Sequence, residues 1–446
     1  MNTATPVPQT ATPVLATGTR SPLLWVPTGY FTMALGYTML CSVTAIMFKN
    51  LGMDNGQAAA YSSMLILAYT IKPLFAPIVE MYRTKKFFVL CTQCLIGLGF
   101  FGAALAMSLP NYMVVLLPLF WAMSFIGATQ DIASDGVYVT SLDSRAQSLY
   151  CGVQSLSWNI GPIVASGALV YLSGRLHTEV FHHDARAFGP AWLDAWQVIF
   201  AIVGAITLAM ALWHARFMPD GARADHAPAN LRGAWDILLD SFVTFFQKPG
   251  VWRMVAFAFL FRLSIGLLEK IGPFFMVDAA SKGGLGLSNE QLGIVYGTWG
   301  LAAVLLGSLL GGWFVAARGL KRTLFLLCCG VNIPNVTFLI MSIYLPSSVF
   351  GIAAGVIIEK FFFGFGSVGF MIYLMQQLAP GKYTTTHYAF GTGLMGLCGL
   401  VTGVVSGHLQ EALGYVQYFG LVMVATIPSF LATWFAPFRF AEPQEG

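Results

Sequence analysis

Long apolar runs separated by short polar breaks make up most of the chain, and the spacing of those breaks fixes the expected elements. A bilayer core about 30 Å thick needs about 20 mostly apolar residues per crossing helix. Twelve runs meet that length, over residues 24–48, 58–79, 87–108, 112–141, 148–173, 191–217, 251–278, 290–316, 323–344, 347–379, 385–408 and 414–436. Several exceed the minimum, which implies tilted helices. Residues 1–22, rich in Thr, Pro and Ala, have neither a basic start nor a short apolar core and read as a disordered tail.

Composition agrees: 57% of residues are hydrophobic, 9% are charged and the mean hydropathy is +0.71. A soluble domain carries about 25% charged residues, so the expected class is an all-α integral membrane protein. Lys and Arg fall unevenly about the breaks. Fifteen flank the breaks on one side, among them Arg83, Lys86, Arg216, Arg253, Arg318 and Lys321, against four on the other, Lys49, Arg175, Arg186 and Lys282. The basic side is the cytoplasmic side, so both termini are expected there. The net charge of +4 is then a topology signal with no nucleic-acid implication.

Four bases, Lys72, Arg262, Lys270 and Lys360, and four acids, Asp131, Asp135, Glu269 and Glu359, remain inside predicted spans. Charge at membrane depth is costly and faces a bundle interior, an aqueous cavity or a partner. Asp131 and Asp135, four apart in "FIGATQDIASDGVYV", share one helical face. At 1.5 Å per residue, Lys72 and Asp131 both fall roughly 6 Å to the cytoplasmic side of the midplane, so they are level-matched; Asp135 lies a turn further, nearer Arg83. Arg262 and Glu269, seven apart, share a face. Of the neighbours Glu359 and Lys360 only one is expected to face a cavity squarely. The seven cysteines all lie in apolar spans and read as packing residues.

The chain also repeats itself. "PIVEMYRTKKFF" follows the second run and "GWFVAARGLKRTLF" the eighth, aligning Arg83 with Arg318 and Lys86 with Lys321 at an offset of 235 residues. Between the halves, residues 218–250 form the longest polar stretch; within it Leu231, Trp235, Leu238, Leu239, Phe242, Phe245 and Phe246 make one helical stripe, as in a helix lying along the interface. The expected organisation is a tail (1–22), a six-helix bundle (23–217), a cytoplasmic linker with an amphipathic helix (218–250), a second six-helix bundle (251–437) and a cytoplasmic tail (438–446).

Two six-helix halves joined by a cytoplasmic linker, each with a basic loop between its second and third helices, resemble the major facilitator superfamily. That resemblance implies a midplane substrate site between halves that rock to give alternating access. It also implies conformational loop charges, here Glu80, Arg83 and Lys86 in the first half and Arg318 and Lys321 in the second, where Val315 replaces the acid. "ATQDIASDG" is similar to the fourth helix of the muropeptide permease (AmpG) and acetyl-CoA transporter group, and Lys72 matches that group's Lys at the end of helix two. "GVIIEKFFFGFGSVGFMIYLM" resembles the permeases' tenth helix, with Glu359 at its acid. In "FRLSIGLLEKIGPFF" the basic residue Arg262 is kept, Ile265 stands where an acid is expected, and Glu269 and Lys270 are added.

The expected activity is proton-coupled import of peptidoglycan-derived muropeptides or related glycan fragments across a bacterial inner membrane. The alternatives are a siderophore or other anionic metabolite as cargo, a signalling receptor, or an intramembrane hydrolase built on the paired acids. Asp131, Asp135, Lys72 and Glu359 are the candidate proton-coupling groups, with a purely structural clamp as the alternative for the aspartates. Arg262, Glu269, Lys270 and Lys360 are candidate substrate groups, since Arg binds carboxylates bidentately; the alternative is a network in which the bases neutralise the acids. Tyr37, Trp158, Asn159, Trp299 and Tyr373 lie near mid-span, where they could stack on or hydrogen-bond sugar rings; the alternative for each is packing. His177, His182 and His183 in the outer insert read as a solvated loop. No metal, cofactor or catalytic group is expected, and the chain is expected to work as a monomer with its substrate, protons and the bilayer as partners.

Overall fold

Several described helix boundaries fall at polar breaks that carry a capping side chain, as at Asp54, Thr84 and Ser288, or a left-handed residue, as at Gly283 and Leu345. The computed structural model describes residues 21–72, 74–75, 83–142, 144–184, 187–221, 231–381 and 383–439. The helices are α1 (Pro22–Asn50), α2 (Asn55–Met64, continued by Ile66–Thr70), α3 (Lys85–Ala106), α4 (Tyr112–Ser141), α5 (144–180), α6 (Pro190–Phe217), a linker helix (Leu231–Phe246), α7 (Val251–Val277), α8 (Asn289–Arg318), α9 (Leu320–Tyr344) and α10 (Val349–Leu378). A last helical stretch, Thr384–Val424, bends at Gly414, where φ is 73° and ψ 167°. We call the part before the bend α11 and the part after it, with Thr426–Trp434, α12. No strand occurs among the described residues.

Among the described residues ten helices are long and apolar enough to cross a membrane. The difference from twelve has two sources. The bend at Gly414 leaves α11 and α12 as one continuous stretch, and the run 58–79 is only partly covered by described residues. Caps fit the sequence: Asp54 accepts from the Gln57 amide at 2.6 Å, and Ser288 and Gln291 form a reciprocal capping box at the start of α8.

Helix α3 packs on both α4 and α6 and α1 packs on α5, while α8 and α9 pack on α10 and α7 packs on α11 and α12. Close approach depends on glycine, as is usual between membrane helices: a Cβ at Gly307 of α8 would lie 1.9 Å from the Phe361 carbonyl of α10. Helix α5 is wound as π-helix over Ile163–Leu169 and α8 over Gly293–Gly300, and these two wide turns pack against each other. A third π turn, Met39–Val43, interrupts α1.

The apolar core is shared at one end of the bundle and divided at the other. At the end that holds Lys49, one cluster runs from Phe48, Phe120 and Trp196 to Phe275, Phe338 and Phe419. At the end that holds Lys85, two separate clusters form. One contains Trp25, Val137 and Met218, the other Phe245, Phe257, Leu324 and Tyr373.

The linker helix splits the single stripe expected of it. Phe245, 1% exposed, packs against His387 and Phe390 of α11, and Tyr383 donates to Asp240 Oδ2 at 2.6 Å. Trp235, Leu239 and Phe242, a quarter-turn away, stay exposed. Lys248 Nζ beyond it donates to the Leu378 carbonyl at 2.5 Å and tops the Phe245 ring, anchoring the helix to the end of α10.

Candidate functional site

Two groups of charged side chains lie within the bundle, and Tyr37 is within electrostatic reach of both. In the first, Lys72 on α2 is ion-paired with Asp131 on α4; about a third of the Lys72 side chain is exposed, and Asp131 is nearly buried. Asp135, one turn on, accepts a 2.7 Å hydrogen bond from the Tyr30 hydroxyl of α1. The two acids of one helical face thus hold two different neighbours of α4. Tyr30 in turn packs edge-on against Tyr138, fixing its ring. Asp135 does not approach Arg83 as its depth suggested: the Arg83 guanidinium lies 5.9 Å from the Phe87 ring centroid, in a residue with φ of 53°. The Arg83 side chain thus lies against the first turn of α3.

The second group is built on α7, α8 and α10. Arg262 Nη2 meets Glu269 Oε2 at 3.4 Å, and more than half of the Glu269 side chain, 55%, is open. Glu359 and Lys360 are both buried and pair with each other at 3.3 Å, in place of the one-in, one-out arrangement expected for helix neighbours. The flexible Lys360 side chain curls back to its neighbour, and its ammonium lies 4.6 Å from the Tyr296 ring centroid and 5.4 Å from that of Phe363. Arg262 approaches the same Phe363 ring at 5.8 Å. Cation–π contacts of this kind attract a desolvated cation by about 2 kcal/mol, which offsets part of the cost of burying it.

Lys270 is within electrostatic reach of Glu269 but makes its hydrogen bonds elsewhere. Its ammonium donates to the Cys41 carbonyl at 3.2 Å and to Ser62 Oγ at 3.1 Å, joining α7 to α1 and α2. The Cys41 carbonyl lies in the π turn of α1.

The aromatic candidates divide. Tyr37 packs edge-on against Tyr69 at 4.8 Å and lies 6.2 Å from Trp158. Trp299 is 42% exposed. Asn159 directs its amide nitrogen to the Ser155 carbonyl one turn back at 2.8 Å. Tyr373 is on the packing side: it is fully buried, packs on Phe257 and Phe438 and donates to the Pro437 carbonyl at 2.8 Å, so it holds the Lys85 end of the bundle together.

Of the loop charges, Glu80 lies outside the described residues. Lys86 approaches Asp220 at 3.8 Å, Arg318 lies over Phe314, and Lys321 is exposed in the first turn of α9. In the outer insert His177 stacks on Trp192 at 3.8 Å and meets the Asp184 carbonyl at 3.0 Å. No cluster of metal-ligating side chains occurs among the described residues.

One further element was not singled out by sequence. Lys49 at the end of α1 forms a buried ion pair with Asp278 after α7 at 2.9 Å. Asp278 Oδ2 also accepts from Tyr415 Oη at 2.6 Å and from Asn55 Nδ2 at 3.1 Å, and Asn50 and Asn289 exchange amide hydrogen bonds nearby. Among the described residues, the hydrogen bonds and ion pairs between α1–α6 and α7–α12 lie at this end or, through Lys270, at mid-depth. The sign that could have found the pair is the placement of a lone Lys and a lone Asp at the ends of the first and seventh runs.

A many-spanning helical protein whose opposed helix groups enclose paired charges at mid-depth has the build of a membrane transporter. Residues 28–407 match the Major Facilitator Superfamily, and the chain belongs to it. It is 20% identical over 404 residues to the putative transporter AmpG 4 of Rickettsia felis, covering 88% of this chain and 90% of that protein. It is 22% identical over 378 residues to the anhydromuropeptide permease of Escherichia coli, covering 83% of this chain and 71% of the permease. Among solved structures, the nucleoside transporter NupG superposes with a TM-score of 0.65 at 16% identity, over 93% of this chain and 98% of that one. The D-xylose–proton symporter does so with a TM-score of 0.66 at 14% identity, over 93% and 96%. These likenesses establish the fold and the transporter class.

Proposed function

We propose that this transporter imports muropeptides or related peptidoglycan fragments by proton-coupled alternating access between two six-helix halves, residues 23–217 and 251–437. The observation that carries the reading is the Lys72–Asp131 ion pair, partly open, at mid-depth and in the same bundle as Arg262 and Glu269. A cavity charge pair can couple protons to motion because protonating the carboxylate removes the attraction that holds α2 to α4. Deprotonation restores it. The names of the AmpG relatives and the permease support the cargo class.

The excess of basic residues at the breaks supports a cytoplasmic Lys85 end, with both termini and the linker helix on that side. The Lys49–Asp278 cluster is then the outer seal, and the divided cores mark a cavity open inward. The membrane is the bacterial inner membrane, and the monomer is the working unit.

The test is uptake by proteoliposomes under an inward proton gradient, offered labelled disaccharide peptides, sugar-free peptides and siderophores in parallel. Gradient-dependent accumulation of the disaccharide peptides supports the reading. Accumulation of a siderophore alone would replace the cargo; binding without flux would indicate a receptor.

A further inference from the structure

Glu269 is unusual among the intramembrane acids. Asp131 is held by Lys72, Asp135 by Tyr30, and Glu359 is buried beside Lys360. Glu269 has one described partner, Arg262, met at 3.4 Å by a single nitrogen, and leaves more than half of its side chain open in the middle of α7. It is also central. Tyr37 of α1, Tyr296 of α8, Lys360 of α10 and Cys398 of α11 all lie within electrostatic reach of its carboxylate. An open carboxylate at this point repels a cargo that carries only negative charge, and like charges brought together count heavily against a wrong partner. Arg262, by contrast, suits a carboxylate, having five N–H donors in a planar fork. The neighbouring base Lys270 is within electrostatic reach of Glu269 as well, but its ammonium makes its hydrogen bonds to the Cys41 carbonyl and Ser62.

A long, single-contact ion pair can be opened by a zwitterion. The cargo's carboxylate replaces Glu269 on Arg262, and its ammonium replaces Arg262 on Glu269, so no charge is left without a partner. We propose that Glu269 is the amine subsite of the cavity, and that the preferred cargo carries a free ammonium group beside its carboxylates. The proposal rests on the transport reading above and narrows its cargo to fragments whose peptide keeps a free amine.

The experiment measures equilibrium binding to the full-length protein in detergent with two matched pairs of probes. One pair is a disaccharide tripeptide with a free side-chain amine and its N-acetylated form; the other is the tripeptide without sugar, free and N-acetylated. For the native chain, acetylation should weaken binding of the disaccharide tripeptide by about 10- to 100-fold, the value of a hydrogen bond to a charged group. Glu269→Gln should bind the free and acetylated forms alike, whereas Glu269→Asp should keep part of the preference. Equal binding of free and acetylated probes by the native chain, or a preference that survives Glu269→Gln, overturns the amine subsite. A preference confined to the sugar-free pair overturns the glycan cargo and keeps the subsite, while binding of none of the four overturns both.

Discussion

Lys72 on α2 and Asp131 on α4 form an ion pair at mid-depth in which the lysine is a third exposed and the aspartate nearly buried. The asymmetry matters for energetics. Removing the lysine strands a buried carboxylate, whereas removing the carboxylate leaves a cation with access to the cavity.

Lys72→Ala should therefore destabilise the protein strongly, by up to about 3–5 kcal/mol, the usual cost of breaking a buried pair from one side. The double variant Lys72→Ala/Asp131→Ala should recover thermal stability in detergent without recovering transport. Additive losses in the two single variants and the double would mean that the residues do not interact energetically.

Arg262→Gln should weaken binding of a carboxylate-bearing cargo by about 1.5–3 kcal/mol, the worth of a hydrogen bond to a charged group. A cargo analogue with its carboxylates amidated should lose little. Lys at this position should give an intermediate affinity, since it restores charge without the planar fork. Equal losses for the acid and the amide would make Arg262 a structural residue.

Lys49 and Asp278 predict a shift in resting conformation. Asp278→Asn keeps the hydrogen bonds from Tyr415 and Asn55 within reach but removes the charge that answers Lys49. The seal should then open more often, and a single cysteine placed at residue 53 should react faster with a membrane-impermeant thiol reagent. An unchanged labelling rate would show that the apolar and glycine contacts at that end suffice to keep it shut.

Much of this arrangement was legible in the sequence, and the remainder was hidden for identifiable reasons. Run 112–141 coincides with Tyr112–Ser141 of α4, because both of its ends are polar breaks. The level match of Lys72 and Asp131 needed only the helical rise. The partners of Asp135, Lys270 and Lys49 depended instead on which helices are neighbours, which hydrophobic periodicity does not encode. Tyr30 and Cys41 therefore carried no sign of their roles, and Asp278 only its place at the end of the seventh run opposite Lys49 at the end of the first. Tyr373 takes the packing alternative, which depth in a span cannot distinguish because it says nothing about direction: its side chain turns into the core of α7 and α10. The pairing of Glu359 with Lys360 escaped a rigid-wheel argument because a lysine side chain is long enough to bend back along its own helix.

Proton coupling through Asp131 is the central claim, and uphill uptake by Asp131→Asn tests it most directly. In proteoliposomes with an inward proton gradient, the native chain should accumulate a labelled disaccharide peptide against its concentration gradient. Asp131→Asn, correctly inserted, should lose that accumulation while still equilibrating the same cargo down its gradient. Full gradient-driven accumulation by Asp131→Asn would contradict the account.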